Sequence, residues 1–161
     1  MVAKATFVTF YSDANFYPDQ SIGYLVRVCH QLGSANLDQL FADEGLTHIQ
    51  WSALISIYFG RGETCAALAR DLAHDKGAMT RMIDAMEAKG WVERQRDRAD
   101  RRLNNLTLTP EGVAVAHRCR AKLIACWNTW LHDWDEREIA TFIAQLARLR
   151  HALEADPTCA A

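Results

Sequence analysis

The 161-residue sequence predicts a mainly α-helical fold with one small β-hairpin. Three observations predict it. Apolar residues recur at a spacing of three and four along most of the chain, the period of a helix with one buried face. Capping residues stand ahead of those runs at Thr47, Thr64, Asp75, Thr109 and Asp135. One stretch, "LNNLTLT" at residues 103–109, instead alternates apolar and polar side chains, the period of a strand.

The elements follow in order. Residues 1–18 form an aromatic-rich arm with Phe7, Phe10, Tyr11, Phe16 and Tyr17, too apolar for a solvated tail and suited to docking on the body or on a partner chain. From residue 19, Ile22, Leu25, Val26, Cys29, Leu32 and Leu40 mark one long helix to about residue 42. "ADEGL" breaks it at Gly45. Thr47 with Gln50 is a capping box, and Trp51, Leu54, Ile55 and Tyr58 stripe a second helix that stops at "GRGE". Thr64 caps a short helix, "CAALARDLAH", and Asp75 caps another, "KGAMTRMIDAMEAKG", whose inner face is Met79, Ile83 and Met86 and whose end is Gly90.

Two short helices with a tight turn between them make a helix-turn-helix, a weak signal alone. "WVERQR" and "LNNLTLT" then read as two strands of a hairpin, which turns the motif into a winged helix-turn-helix. Thr109 and Pro110 start a further helix running to about residue 133. Asp135 with Glu138 boxes the last one, striped by Ile139, Phe142, Ile143, Leu146, Leu149 and Leu153.

Half the residues are apolar and about a quarter charged, the profile of one soluble globular domain with or without an extension. No apolar run approaches the roughly 20 residues of a membrane span. The first residues, "MVAKATFVTFYSD", make a poor secretory signal, so a cytoplasmic, membrane-free protein is expected. Five cysteines without a C-x-x-C argue against a disulfide framework. Cys119 and Cys126, seven apart, share a helix face as small buried hydrophobes or as redox thiols. An enzyme would show G-x-S-x-G, H-E-x-x-H or G-x-x-x-x-G-K, and none occurs. The histidines are scattered. His117-x-Cys119 is a metal-like spacing without nearby partners, so neither a metal site nor a cofactor is expected.

The charge is more telling by region. Residues 76–102 hold eight basic and five acidic side chains, net +3, in a chain whose formal net charge is −2. DNA affinity depends on the charge that faces the phosphates, so an acidic total does not exclude DNA as partner. The densest run is "RDRADRR", residues 96–102, at the tip of the hairpin.

The stretch "DKGAMTRMIDAMEAKGWVERQRDRADRRLNNLTLTPEG", residues 75–112, resembles the core of the MarR family of bacterial transcription regulators. The Thr80-Arg81 pair, "EAKGWVER", the D-x-x-D-R-R tip and "LTLTPEG" carry the resemblance, which extends in element order over roughly residues 20–154. "NFYPDQ" and "GW" lean towards the multidrug-efflux regulators of that family. The family usually has proline after the first aspartate of the tip, where this chain has Arg98.

The resemblance implies a homodimer, with residues 19–44 and 110–156 as dimerisation helices and residues 47–109 as a DNA-binding lobe on a near-palindromic operator in double-stranded DNA. On the recognition helix, Lys76, Gly77, Ala78, Thr80 and Arg81 stand at or near the end that enters the major groove. Arg81 is suited to a bidentate grip on guanine or phosphate, and Gly77 and Ala78 let the backbone come close. In the wing, Arg96, Arg98, Arg101 and Arg102 suit a narrow minor groove, and Asp97 and Asp100 shape the loop by ion pairs. Tyr24, His30, Trp51, Tyr58 and Trp127 either fill the core or line a cleft for a small aromatic ligand that releases the DNA. A redox- or metal-responsive regulator of the same fold, using cysteine or histidine, is the alternative.

Overall fold

The computed structural model describes residues 10–96 and 104–156. The elements are α1 (Ile22–Leu40), α2 (His48–Tyr58), α3 (Cys65–Asp71), α4 (Lys76–Ala88), β1 (Val92–Arg96), β2 (Asn104–Leu108), α5 (Pro110–Trp130) and α6 (Glu136–Glu154), with short 3-10 turns at Pro18–Gln20 and Ala42–Glu44. The chain divides into two compact units that meet between Cys119 and Arg120, inside α5.

In the first unit the caps read from the sequence close as expected. Thr47 and Gln50 form a full capping box, Thr64 accepts from the amide of Ala67, and Asp75 accepts from that of Ala78. The Thr109 hydroxyl oxygen accepts from the Gly112 amide and donates its own proton to the Gly90 carbonyl. Gly45 and Gly90 end their helices at positive φ, where a side chain would be strained. Ala73 has φ 48° without being glycine, so the turn of the helix-turn-helix carries a strained residue.

β1 and β2 pair antiparallel with Arg94 opposite Leu106 and Arg96 opposite Asn104. The loop before α3 extends this ribbon, because Leu106 donates to the Glu63 carbonyl at 2.8 Å. Phe41, Leu54, Leu68, Met79, Ile83, Met86, Val92 and Val115 close the core beneath the hairpin and the two short helices. Packing is tight where α5 begins: a Cβ on Gly112 would stand 1.9 Å from the Trp91 carbonyl oxygen. That approach lets Trp91 bond Thr109 and anchor the helix to the base of the wing.

Two expectations shift. On α2 the buried residues are Ala53, Leu54, Ser56 and Ile57, whereas Trp51 and Ile55 are half-buried and Tyr58 is exposed. This helix packs against α1, α3 and β2 at once, so more than one stripe is covered. α5 also ends at Trp130, three residues early, where a turn begins and the Trp134 amide bonds the Leu131 carbonyl.

The second unit holds the end of α5 and all of α6, boxed by Asp135 and Glu138 as read from the sequence. Trp127, Leu131, Trp134, Ile139, Phe142, Ile143 and Leu146 line an apolar groove of about 370 Å³ within it. Phe142, Ile143, Leu146 and Leu153 are exposed.

Candidate nucleic-acid interface

The recognition helix is built by its own sequence. Met79, Ile83 and Met86 repeat at four and three, so α4 turns one face fully inward. Lys76, Gly77, Thr80 and Arg81 are thereby left exposed at the start of the helix, with Ala78 half-buried. Thr80 donates its hydroxyl proton back to the Lys76 carbonyl at 2.9 Å, so its oxygen faces out mainly as an acceptor. The Asp75 carboxylate lies at the same end. The Ala78 N–H holds it below the usual carboxylate range; burial opposes this, while the Gly77 N–H and the charges of Arg81 and His74 reinforce it.

The hairpin supplies the second part. Arg96 ends β1, exposed and opposite Asn104. Arg94, two residues earlier, is turned inward and serves a different purpose. Its guanidinium bonds Asp84 at 2.6 Å and also Glu87, and its backbone N–H donates to Glu87 at 3.3 Å. Burial works against its charge, but bonds to Asp84 and Cys65 and the charge of Glu87 outweigh that and raise its pKa. Arg94 therefore ties β1 to α4 and touches α3. Lys89 is likewise diverted: its Nζ donates to the Gly45 carbonyl at 2.6 Å and sits 4.5 Å from the Trp91 ring centroid.

The basic block is thus divided. Arg94 and Lys89 hold the lobe together, and Asp84 and Glu87 are consumed in doing so. Lys76, Arg81 and Arg96 remain on the surface. Arg98, Arg101 and Arg102, with Asp97 and Asp100, lie outside the described residues.

The strut at Arg94 was missed by sequence reasoning, although a signal existed. Asp84 and Glu87 are three apart and share one helix face. What the sequence lacks is the distance from that face to the first strand.

Each aromatic candidate has a ring contact of its own. Trp51 stacks on Phe41, His30 meets His48, Tyr58 meets Phe59 and His117, Tyr24 lies under Arg27, and Trp127 meets Trp130. None of these ring contacts joins two of the five. The Trp51 indole N–H is buried and has no hydrogen-bond partner among the described residues. Cys119 is buried, Cys65 and Cys126 are half-buried and Cys29 is exposed. Among the described residues no group of three or more His, Cys, Asp or Glu could hold a metal ion, and no helix is long and apolar enough to cross a membrane.

Comparison with known proteins gives a consistent picture. A sequence model of the MarR family matches residues 46–103. The multiple antibiotic resistance protein MarR of Escherichia coli is 33% identical over 98 residues, which cover 61% of this chain and 68% of that one. Its counterpart in Salmonella typhimurium is 32% identical over 101 residues, covering 63% and 70%. Among solved structures, a MarR mutant from Escherichia coli complexed with operator DNA aligns with a TM-score of 0.71 at 28% identity, covering 80% of this chain and 92% of that one.

Proposed function

Because the chain belongs to the MarR family, we propose that it is a sequence-specific DNA-binding repressor, acting as a homodimer and released from its operator by a small aromatic ligand. Membership makes it a transcription regulator rather than an enzyme. One observation carries the DNA-binding reading. α4 buries Met79, Ile83 and Met86 completely and leaves Lys76, Gly77, Thr80 and Arg81 exposed at its start, next to a hairpin whose Arg96 is on the surface.

The mechanism follows from that face. Each recognition helix enters a major groove, and two copies read half-sites about 34 Å apart. Arg81 grips a base edge or a phosphate with two parallel N–H donors, and Lys76 pairs with a phosphate. The wing reaches a minor groove with Arg96, helped by Arg98, Arg101 and Arg102, while Asp97 and Asp100 keep the loop in shape.

A second copy is supported by apolar surface. Ile22, Leu25, Val26 and Leu32 of α1 and Phe142, Ile143, Leu146 and Leu153 of α6 stay exposed, apolar side chains that a second copy would cover. Ligand response is supported by the unpartnered indole N–H of Trp51, which a carboxylate or phenol oxygen would satisfy.

Selection from random DNA at physiological salt is the direct test. A near-palindrome is expected, with affinity that falls as salt rises by about 0.9 in log–log slope per phosphate neutralised. Arg98→Ala and Arg102→Ala should weaken binding to the selected duplex with little loss of fold. If both bind like wild type, the wing assignment is wrong. Phenols titrated into the complex should release DNA, and a Trp51→Phe variant should respond less.

A further inference from the structure

We propose that Asp75 is a positioning residue for Arg81: across Gly77, its carboxylate fixes the direction in which the guanidinium is offered to a base. The inference rests on the DNA-binding reading and adds the element that makes the contact selective. The starting point is an oddity of charge. A face that meets phosphates should avoid carboxylates, yet the recognition helix is capped by an aspartate at the end where Lys76 and Arg81 are exposed. Thr47 and Thr64 cap the two preceding helices without charge. Asparagine or serine would cap α4 about as well, so the cap alone does not call for the negative charge.

Geometry shows what the charge faces. A Cβ built on Gly77 would lie 3.3 Å from Asp75 Oδ1 and 3.6 Å from Arg81 Nη1. The carboxylate and the guanidinium therefore converge over the one residue of the first turn that has no side chain. Asp75 is itself immobilised, because Oδ1 accepts from the Ala78 amide at 2.7 Å. Thr80, next to Arg81, is engaged with the Lys76 carbonyl, and Asp84, three residues on, is engaged with Arg94. His74, at the turn, also lies within the electrostatic reach of Asp75. A fixed anion beside a flexible cation narrows the cation's rotamers before DNA arrives, so less freedom is lost when the base contact forms. The same anion repels phosphate and so lowers affinity for DNA that offers no base partner. Both effects raise selectivity.

Gly77 acquires a second reason to be glycine. A side chain there would press on the carboxylate and come up against the guanidinium.

The test is a double-mutant cycle on the full chain, with duplexes selected by the wild-type protein and shuffled duplexes of equal length as probes. Asp75→Asn keeps the cap and removes the charge. It should leave the melting temperature nearly unchanged, bind shuffled DNA as well as or better than wild type, and lower the selected-to-shuffled ratio about tenfold. Arg81→Ala should lower that ratio similarly, and the double variant should fall no further than Arg81→Ala. Repeated selection should show both single variants losing preference at the same base position. Gly77→Ala, whose methyl group would press on the Asp75 carboxylate, should lose selectivity at that same base position. The proposal is overturned if Asp75→Asn keeps the wild-type ratio, or if the two single losses multiply in the double variant. A wild-type protein that selects no sequence overturns the DNA-binding reading itself, which separates the two failures.

Discussion

α4 and α6 carry apolar stripes of the same helical period and use them in opposite ways. On α4, Met79, Ile83 and Met86 are 0% exposed, covered by the rest of the winged-helix unit. On α6, Phe142, Ile143 and Leu153 remain 45%, 60% and 55% exposed. Period alone therefore says that a helix has a face to bury, and not what buries it. The winged-helix unit closes its own core, and with the core closed the opposite side of α4 is free for a ligand as polar as DNA. The second unit leaves its apolar side open, which is the surface a partner copy would cover.

The largest effect expected would break this contrast outright. Ile83→Ala should cost about 2–5 kcal/mol, from lost burial and the cavity left behind, measured by urea unfolding at low concentration. Ile143→Ala, at an exposed position, should cost under about 0.5 kcal/mol in the same dilute sample. It should instead raise the dissociation constant of the proposed dimer in sedimentation equilibrium. Equal losses in urea would mean that α6 is buried within its own chain.

Two glycine substitutions sharpen the contrast at the level of packing. Gly112→Ala puts a methyl group into the Trp91 carbonyl, so the gain in helix propensity is overwhelmed and about 1–3 kcal/mol is lost. Gly33→Ala on α1 meets nothing within 4 Å and should add about 0.5–1 kcal/mol. A loss at Gly33 that grows with protein concentration would show that this face is in close contact with a second copy in the proposed dimer.

Arg94→Ala comes next. It should cost about 1 kcal/mol, because the pair is partly solvated and screened. It should also weaken DNA binding without lowering the salt slope, since the side chain holds the hairpin on α4 rather than touching phosphate. Arg96→Ala, by contrast, should reduce the slope by about one. A reduced slope in Arg94→Ala would make it a phosphate contact.

The smallest effect concerns how α1 joins the winged helix. The His48 backbone N–H and ring nitrogen bond the Asp38 carboxylate at 2.6 and 2.9 Å. Burial works to raise the Asp38 carboxyl, but these bonds from His48 outweigh it and hold it below its ordinary value. A depressed folded-state pKa stabilises above the unfolded value, about 4, and the contribution disappears as pH falls through the folded value. Thermal melts between pH 6 and pH 3 should show Asp38→Asn slightly less stable at pH 6, by under about 1 kcal/mol, with a shallower acid limb. An unchanged acid limb would remove Asp38 from the account.

The sequence by itself determined the elements and their order, because capping and periodicity are local. Thr47, Thr64, Asp75, Thr109 and Asp135 all act as caps where they were expected. It also determined which side of α4 faces out, since Met79, Ile83 and Met86 leave Arg81 no other direction. The tertiary structure alone decided which charges are available. Arg94 and Arg96 look alike in "ERQR", yet one is spent on Asp84 and Glu87 and the other is exposed. It also decided that Gly112 must be bare against Trp91, and that α2 is covered on several sides. Local pattern sets the phase of each element; which side chains meet depends on how elements distant in sequence are packed together.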